Sequence, residues 1–405
     1  MALMDIVNLN ADASCLPSNK WLRSLEGGKN SRLCRLLNNY VRNRRKVNIG
    51  LTGATIKDLS VFNPEALDLI NAHPEIFQIL ARPFAHDLSP LRNHEGFQLN
   101  LEYGLKTIKE HLKNTVPAFL QNELMIRNQQ IETLVEHGLQ AIFIHPERYD
   151  ETVQGIIPKS PFFCQGTHRS PILTIPITDN LTVPYLAYLH REEPPAAWTR
   201  ILKGPGLKLI WRDAESALLF PGGVDFEGML FEEEKADSVE RLHLSEQWDF
   251  FWEEADRNSN RSLLKHFPQR KLAHWLSDFK MAWLVEELRA IEAAIDSQSP
   301  LIQKLWLMAI NSDIPASSEK IAPRFKVHPD AFQVPKEDFV WEGVLADESA
   351  STVTLLRSDR HFEGEVYIDL LHRLLNGRMT ETECCAYIAA SPEAYLKKAY
   401  ARVLR

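Results

Sequence analysis

Polar and titratable residues follow one strand-like segment after another in the first half of this sequence. The segments between them carry apolar residues at helical spacing, so strands and helices are predicted to alternate. In a barrel of parallel strands, residues just past the carboxyl ends share one rim, where barrel enzymes assemble their sites. The residues in these positions are Asp12, Thr52, Thr55, His86, Asp87, Glu123, His145, Glu147, Arg212 and Asp213. We therefore expect these side chains to gather at one end of a barrel.

Two of these residues, Glu123 and Asp213, form the pair with the clearest chemistry. Cleavage of a glycosidic bond uses two carboxyl groups that flank the bond, one as nucleophile or base and one as acid. Glu123 follows the run VPAFL and Asp213 follows LKLIW, so each belongs to a different strand. Arg212 could hold a carboxylate or contact a sugar hydroxyl, and Trp211 could stack on a sugar face. The pair predicts a site that cleaves glycosides.

Each of these side chains also has a purely structural interpretation. Asp12 could cap the helix that follows it. Asp87, which precedes Leu-Ser-Pro, could be a turn residue, and His86 could be a buried structural histidine. Glu123 could be an exposed charge at the start of a helix, and Asp213 could pair with Arg212 or with a neighbouring helix end. The sequence alone leaves both interpretations open.

Strand-like runs organise the first 211 residues. They lie at 4–9, 46–51, 75–81, 116–120 and 139–144, and then at 172–177, 183–189 and 207–211. About seven strands alternating with helices favour right-handed βαβ units and a mainly parallel sheet. Because no GxGxxG turn follows the first run, a closed or nearly closed α/β barrel is favoured over an open doubly wound sheet.

The pattern changes after the charged segment EEEK at 232–235. Helical spacing with clustered tryptophans continues to about residue 312, and a strand pair is predicted at 339–345 and 351–358. The sequence therefore predicts a barrel over 1–235, a helical region over 236–312, and a mixed strand and helix region over 313–405.

Composition narrows the class of protein. The 405 residues carry a net charge of −8, which argues against broad nucleic-acid binding. Five cysteines without a CxxC pair favour a reducing compartment. No stretch of ~18 apolar residues predicts a membrane span, and the first residues do not resemble a signal peptide. We expect a soluble, cytoplasmic protein that needs no cofactor and binds neither nucleic acid nor membrane.

Several of these segments together resemble glycoside hydrolase family 57. They are RPFAHDLSPL, the segment Pro-x-Phe-Leu-x-Asn-Glu that ends at Glu123, the segment ETLVEHGLQAIFI, and LKLIWRDAESALLF. The resemblance implies a (β/α)7 barrel followed by a helical region, with retaining hydrolysis or transfer of α-glycosidic bonds. It implies that Glu123 is the nucleophile and Asp213 the acid/base. The predicted substrate-binding residues are Asp12, His86, His145, Trp211 and Arg212.

Two alternatives accompany this interpretation. The related polysaccharide deacetylases and family 38 barrels place Asp and His residues around a divalent metal, and here Asp12 and His86, with His145 as a further candidate, could act as ligands. The family's first-strand motif, His-x-His-Gln-Pro, is replaced by Val7-Asn-Leu-Asn-Ala-Asp12. That replacement supports a third possibility, a non-catalytic barrel with a binding role.

Overall fold

The computed structural model describes most of the barrel and the C-terminal helices. The described residues are 1–10, 18–146, 151–152, 158–165, 171–178, 181–189, 194–204, 206–219, 222–258, 264–265, 279–311, 332–335, 352–355 and 358–405. Asp12 and Glu147, which the sequence singles out, lie outside this part of the chain.

Nine of the described strands form one sheet. They are β1 (Ala2–Leu9), β2 (Val47–Leu51), β3 (Phe77–Ala81), β4 (Thr115–Phe119), β5 (Ala141–Ile144), β7 (Phe162–Gln165), β8 (Pro171–Pro176), β9 (Leu207–Asp213) and β10 (Glu240–Arg241). Seven run parallel in the order β9-β1-β2-β3-β4-β5-β8, the short β10 adds to β1, and β7 pairs antiparallel with β8. The sheet is thus a mainly parallel half-barrel, which confirms the predicted fold class.

Helices connect the strands. They are α1 (Ser18–Leu25), α2 (Arg32–Asn43), α3 (Gly53–Phe62), α4 (Pro64–Ala72), α5 (His94–His111), α6 (Asn128–Glu136), α7 (Thr182–Leu189), α8 (Pro195–Leu202), α9 (Glu215–Leu219), α10 (Gly223–Ala236) and α11 (Trp248–Arg257). The two threonines proposed for the rim begin one of these helices. Thr52 Oγ1 accepts the Thr55 N–H at 3.2 Å and so caps α3.

One predicted strand is wrong. Residues 183–189 form α7, a helix, rather than a strand. Pro184 lies in its first turn, where a missing N–H costs no helical hydrogen bond. Tyr185 and Tyr188 are buried with Trp198 in one apolar cluster. Because so many of its residues are apolar, α7 has the continuous apolar run that also marks a buried strand.

The barrel interior is filled by alternate residues of the strands. Their side chains form one apolar cluster that includes Met4, Ile6, Leu80, Ala118, Leu120, Phe143, Ile175 and Leu209. Successive side chains of a strand point to opposite faces, so Asn8 and Asp213 continue these inward rows at the carboxyl ends of β1 and β9. The hydrophobic pattern of the strands thereby aims these polar side chains into the barrel mouth.

The C-terminal helices pack on the barrel. They are α12 (Phe279–Glu292), α13 (Pro300–Ala309), α14 (Ser358–Leu375), α15 (Glu381–Ala390) and α16 (Ala394–Ala399), followed by a π-helical turn, Tyr400–Leu404. Their apolar cluster includes Phe84 and Leu99 of the barrel. Arg402 donates to both carboxylate oxygens of Asp58 at 2.8 and 2.7 Å. This buried ion pair attaches the end of the chain to α3.

Two further strand pairs are short. β6 (Glu151–Thr152) pairs with β11 (Leu264–Lys265), and β12 (Phe332–Pro335) pairs with β13 (Thr352–Leu355). The second pair lies in the predicted mixed C-terminal region, but its first strand is 332–335; the predicted run 339–345 lies outside the described residues. No helix of the described chain combines the length and the apolar character needed to cross a bilayer.

Gly104 lets α5 approach the segment that follows β3. A Cβ at Gly104 would lie 2.5 Å from Pro83 C and 2.6 Å from Phe84 N, and closer still to the Arg82 carbonyl oxygen. Because these atoms are backbone, the helix itself would have to move. We expect Gly104→Ala to lower the free energy of unfolding by about 1–3 kcal/mol, measured by urea denaturation.

Gly228 provides the matched control. It lies in the interior of α10, where a Cβ would meet only the Asn39 side chain, at 3.4 Å or more. Gly228→Ala should raise the free energy of unfolding by about 0.5–1 kcal/mol, because alanine has a better helix propensity than glycine. Equal effects of the two substitutions would contradict the close approach of α5.

Candidate active site

The carboxylate of Asp213 is held by the neighbouring strand. Asn8 and Asp213 are register partners of β1 and β9. The Asn8 Nδ2 donates to Asp213 Oδ1 at 2.6 Å, and Asp213 remains partly exposed. Asp213 therefore presents a carboxylate at the carboxyl end of the barrel, with one oxygen committed to an amide.

Arg82 crosses the inside of the mouth. It follows β3 directly, is 1% exposed, and donates to the side-chain oxygens of both Asn8 and Asn122. Gly50 on β2 makes room for it, since a Cβ there would lie 2.6 Å from the Arg82 Cδ and 2.9 Å from Leu120 Cδ2. One buried cation therefore connects the end of β1 with the segment after β4.

Glu123 lies in that segment and has an unusual backbone. Its φ of 52° and ψ of 16° are left-handed, a conformation that few residues other than glycine adopt. Asn122 fixes the turn because its Nδ2 donates to the Asp87 carbonyl at 2.5 Å while its Oδ1 accepts from Arg82. Gln121 adds a bond to the Phe143 carbonyl. Buried neighbours thus hold Glu123 in a strained, partly exposed position, as is frequent at functional sites.

A third carboxyl group, Glu215, lies beside Asp213 at the start of α9. It is 1% exposed, and its Oε1 accepts the backbone N–H of Asn10, just past β1. Burial, and then the charge of Asp213, hold the pKa of Glu215 well above its usual range. Sequence reasoning did not select this residue, although a second carboxyl two positions after Asp213 was a visible signal.

The segment after β3 that carries His86 is attached to the C-terminal helices. His86 is buried, and the neighbouring Asp87 lies 3.1 Å from Arg92 Nε. Arg92 Nη1 lies 3.5 Å from Glu292 Oε2 at the end of α12. Burial raises the pKa of Asp87 and raises that of Glu292 to about 7, although Arg92 opposes both shifts. An ion cluster therefore fixes the loop whose histidine the sequence placed at the rim.

Trp211 and Arg212 have opposite orientations. Trp211 is partly buried and packs against the interior cluster, on the same face of β9 as Asp213. Arg212 points to the outer layer and donates to Asp5 at 2.9 and 2.8 Å, and it lies 2.7 Å from Glu227 Oε1. The Arg212 guanidinium is therefore engaged between the sheet and the helices, and we leave it out of the substrate site.

The structure describes only one of the two remaining predicted site residues. His145 follows β5 and is partly buried, while Asp12 lies outside the described residues. Among the residues that the structure describes, no three His, Cys, Asp or Glu side chains are grouped so as to hold a metal ion. The metal alternative, which needs Asp12, stays a prediction.

The barrel and its helical region match solved structures of carbohydrate-active enzymes. The GH57-type branching enzyme from Pyrococcus horikoshii superposes with a TM-score of 0.62 at 9% identity, over 99% of this chain and 94% of that one. The GH57 branching enzyme from Thermococcus kodakaraensis gives 0.59 at 10%, with the same coverage. The 4-alpha-glucanotransferase from Thermococcus litoralis gives 0.56 at 10%, over 82% of this chain and 61% of its own length.

Comparisons of the sequence alone do not show this similarity. No protein-family model matches the chain, and no curated protein matches it. At about 10% identity, the superpositions are evidence for the fold of this chain. The chain spans 94% of the branching enzymes and 61% of the glucanotransferase. The half-barrel with its C-terminal helices therefore has the fold of these two GH57 branching enzymes.

Proposed function

We propose that this chain is a carbohydrate-active enzyme that hydrolyses or transfers α-glycosidic bonds with retention of configuration. The observation that carries the proposal is the hydrogen-bonded path Asp213–Asn8–Arg82–Asn122. It connects one carboxylate to the residue directly before the other, Glu123. The matching folds include branching enzymes and a 4-alpha-glucanotransferase, so an α-glucan is the proposed substrate.

In the proposed mechanism Glu123 is the nucleophile. Its carboxylate attacks the anomeric carbon and forms a covalent glycosyl-enzyme while the glycosidic C–O bond breaks. Asp213 protonates the leaving oxygen. It then removes a proton from water or from an acceptor sugar hydroxyl, which attacks the anomeric carbon and releases Glu123. Water gives hydrolysis and a sugar gives transfer.

The hydrogen bonds of the site suit these roles. Because Asp213 Oδ1 accepts from Asn8, the proton that Asp213 delivers belongs on Oδ2. Trp211, on the same face of β9, offers an apolar surface for a sugar ring. The buried His86 lies in the segment after β3, and the partly buried His145 directly follows β5. We propose these three residues as substrate contacts.

The test is the stereochemistry of turnover. Purified protein is incubated with amylose, maltooligosaccharides and a panel of aryl α-glycosides, and the first product is observed by proton NMR before it mutarotates. We expect an α-anomer, with Glu123→Gln protein from the same purification as the control for contaminating activity. A β-anomer as first product, or no turnover of any α-glycoside, would contradict the proposal.

A further inference from the structure

Glu292, the last residue of α12, reaches from the C-terminal helices to the barrel. Its Oε1 accepts the backbone N–H of Asn93, the residue that caps α5, at 2.9 Å, and its Oε2 lies 3.5 Å from Arg92 Nη1. Gly96 in the first turn of α5 makes room for this carboxyl group, since a Cβ there would lie 2.7 Å from Glu292 Cδ. One buried carboxyl group therefore joins α12 to the segment between β3 and α5.

Arg92 extends this contact to Asp87 in the same segment. The Arg92 Nε lies 3.1 Å from Asp87 Oδ2, and both side chains are 2% exposed. Trp306 of α13 covers the guanidinium, whose Cζ lies 5.9 Å from the centre of the ring, and Trp306 Nε1 donates to the Leu288 carbonyl of α12 at 3.1 Å. The pair of Arg92 and Asp87 stays together, because separating it would leave an unpaired buried charge.

The backbone of Asp87 supports the turn that carries Glu123. The Asp87 carbonyl accepts from Asn122 Nδ2 at 2.5 Å, and Asn122 directly precedes Glu123. The N–H groups of Leu124 and Met125 close the turn with backbone hydrogen bonds of 3.3 and 3.2 Å, which are longer than the usual value of about 2.9–3.0 Å. Since a left-handed glutamate is strained, the surroundings of the turn must hold it in this conformation.

We propose that Glu292 is a positioning residue of the candidate active site. Acting through Arg92, it holds the Asp87 carbonyl in place for Asn122 and thereby fixes the backbone of Glu123. The inference rests on the proposed function, in which Glu123 is the nucleophile. It assigns the C-terminal helices a part in the geometry of the site, because one of their side chains begins this series of contacts.

Hydrogen exchange measures the support without any substrate. Glu292→Ala removes the acceptor of the Asn93 N–H and one partner of Arg92. The segment after β3 and the turn should then open more often. We expect the amides of 85–93 and 120–126 to exchange about tenfold faster or more than in wild type, as measured by mass spectrometry of peptides. Exchange in β1 and β2 should not change.

Two alanine variants distinguish this role from a general loss of stability. Ile388 is buried on α15, which packs on α14 and α16, so Ile388→Ala should lower the urea midpoint without reaching the turn. Glu287 lies on α12 like Glu292, but its Oε2 is 2.9 Å from His372 Nε2 of α14. Glu287→Ala therefore breaks a contact within the C-terminal helices. Both variants should leave exchange at 120–126 as in wild type.

Gly96→Ala perturbs the same contact from the α5 side. Its methyl group would displace the Glu292 carboxyl group, the far end of a flexible side chain, while Glu292, Arg92 and Asp87 all remain. Alanine also favours the helix, so this variant should fold even if Glu292→Ala does not. We expect the same faster exchange at 120–126.

In an active enzyme the position of Glu123 also affects the first chemical step. An aryl α-glycoside releases its phenol as the glycosyl-enzyme forms, so an initial burst of phenol reports the attack by Glu123. A nucleophile misplaced by about 1 Å can lose roughly 10²-fold in rate. We expect Glu292→Ala to slow the burst by about 10–100-fold. Ile388→Ala and Glu287→Ala should keep the wild-type burst rate.

The outcomes separate this inference from the proposed function. A wild type that is inactive on every α-glycoside, with faster exchange at 120–126 in Glu292→Ala and Gly96→Ala, supports the contact series and contradicts the proposed function. An active wild type whose burst and exchange at 120–126 are unchanged by both variants overturns the inference alone. Equally faster exchange at 120–126 in Ile388→Ala also overturns it, because a general loss of stability would then explain the effect.

Discussion

Glu123→Gln is expected to lower kcat/KM on an α-glucan by roughly 10⁴-fold or more, because it removes the atom that bonds to the anomeric carbon. Asp213→Asn should lower it by about 10²–10⁴-fold, the usual contribution of general acid–base catalysis. Both substitutions preserve side-chain shape, and Glu123 is partly exposed. Neither variant should lose its fold, which circular dichroism and thermal melting would check.

The choice of leaving group distinguishes the nucleophile from the acid. A phenol that is a good leaving group needs little protonation as it departs. The Asp213→Asn variant should therefore form the glycosyl-enzyme from an aryl α-glycoside at a rate much closer to that of wild type than its rate of glucan turnover. Glu123→Gln should be equally inactive on both substrates. Glu136→Gln, an exposed glutamate on α6, is the matched control and should behave like wild type. If Glu123→Gln kept more than a tenth of wild-type activity, another residue would be the nucleophile.

The positions of Glu123 and Asp213 could be predicted because strands that are buried on both faces are continuous apolar runs. The first five runs match β1 to β5, and the run at 207–211 matches β9. Residues just after them therefore fall on one rim. The same rule failed at 183–189 because buried helices are also apolar throughout, and period alone does not separate the two.

The partners of those carboxylates could not be predicted. The bond from Asn8 to Asp213 spans 205 residues, and that from Arg82 to Asn8 spans 74. The register of β1 against β9 brings Asn8 to Asp213, and the pairing of β1, β2 and β3 brings Arg82 to Asn8. No local pattern encodes these registers. Arg82, which the sequence reading treated only as part of a motif, is at the centre of the site.

The orientation of Arg212, unlike the partners of Asp213, could have been predicted from the sequence. Alternation along a strand places Arg212 on the face opposite Asp213. Its partners Asp5 and Glu227 are fully buried on that face, together with Tyr40 and Tyr185. An arginine next to a candidate catalytic carboxylate is therefore a poor candidate for the same site when both belong to one strand.

Arg82→Met is expected to have the largest effect on stability. It would leave the buried side-chain oxygens of Asn8 and Asn122 without their donor and would remove the cation that attracts a negative charge on Glu215, the neighbour of Asp213. Breaking such a buried polar network costs about 2–5 kcal/mol. Activity should fall as well, because Asn122 no longer fixes the left-handed turn at Glu123. Urea denaturation at pH 7 and glucan turnover measure the two effects.

Charge and shape contribute separately to that cost, and pH separates them. Without Arg82, the pKa values of the two carboxyl groups should rise, so part of the lost stability should return on acidification, as they become neutral. The part due to lost packing and unsatisfied amides does not depend on pH. Arg42→Met, an exposed arginine of α2, is the matched control and should change stability by less than about 0.5 kcal/mol. A loss in Arg82→Met that is the same at pH 5 and pH 8 would mean that Arg82 acts through packing and amide bonds alone, and that its charge does not stabilise the carboxyl pair.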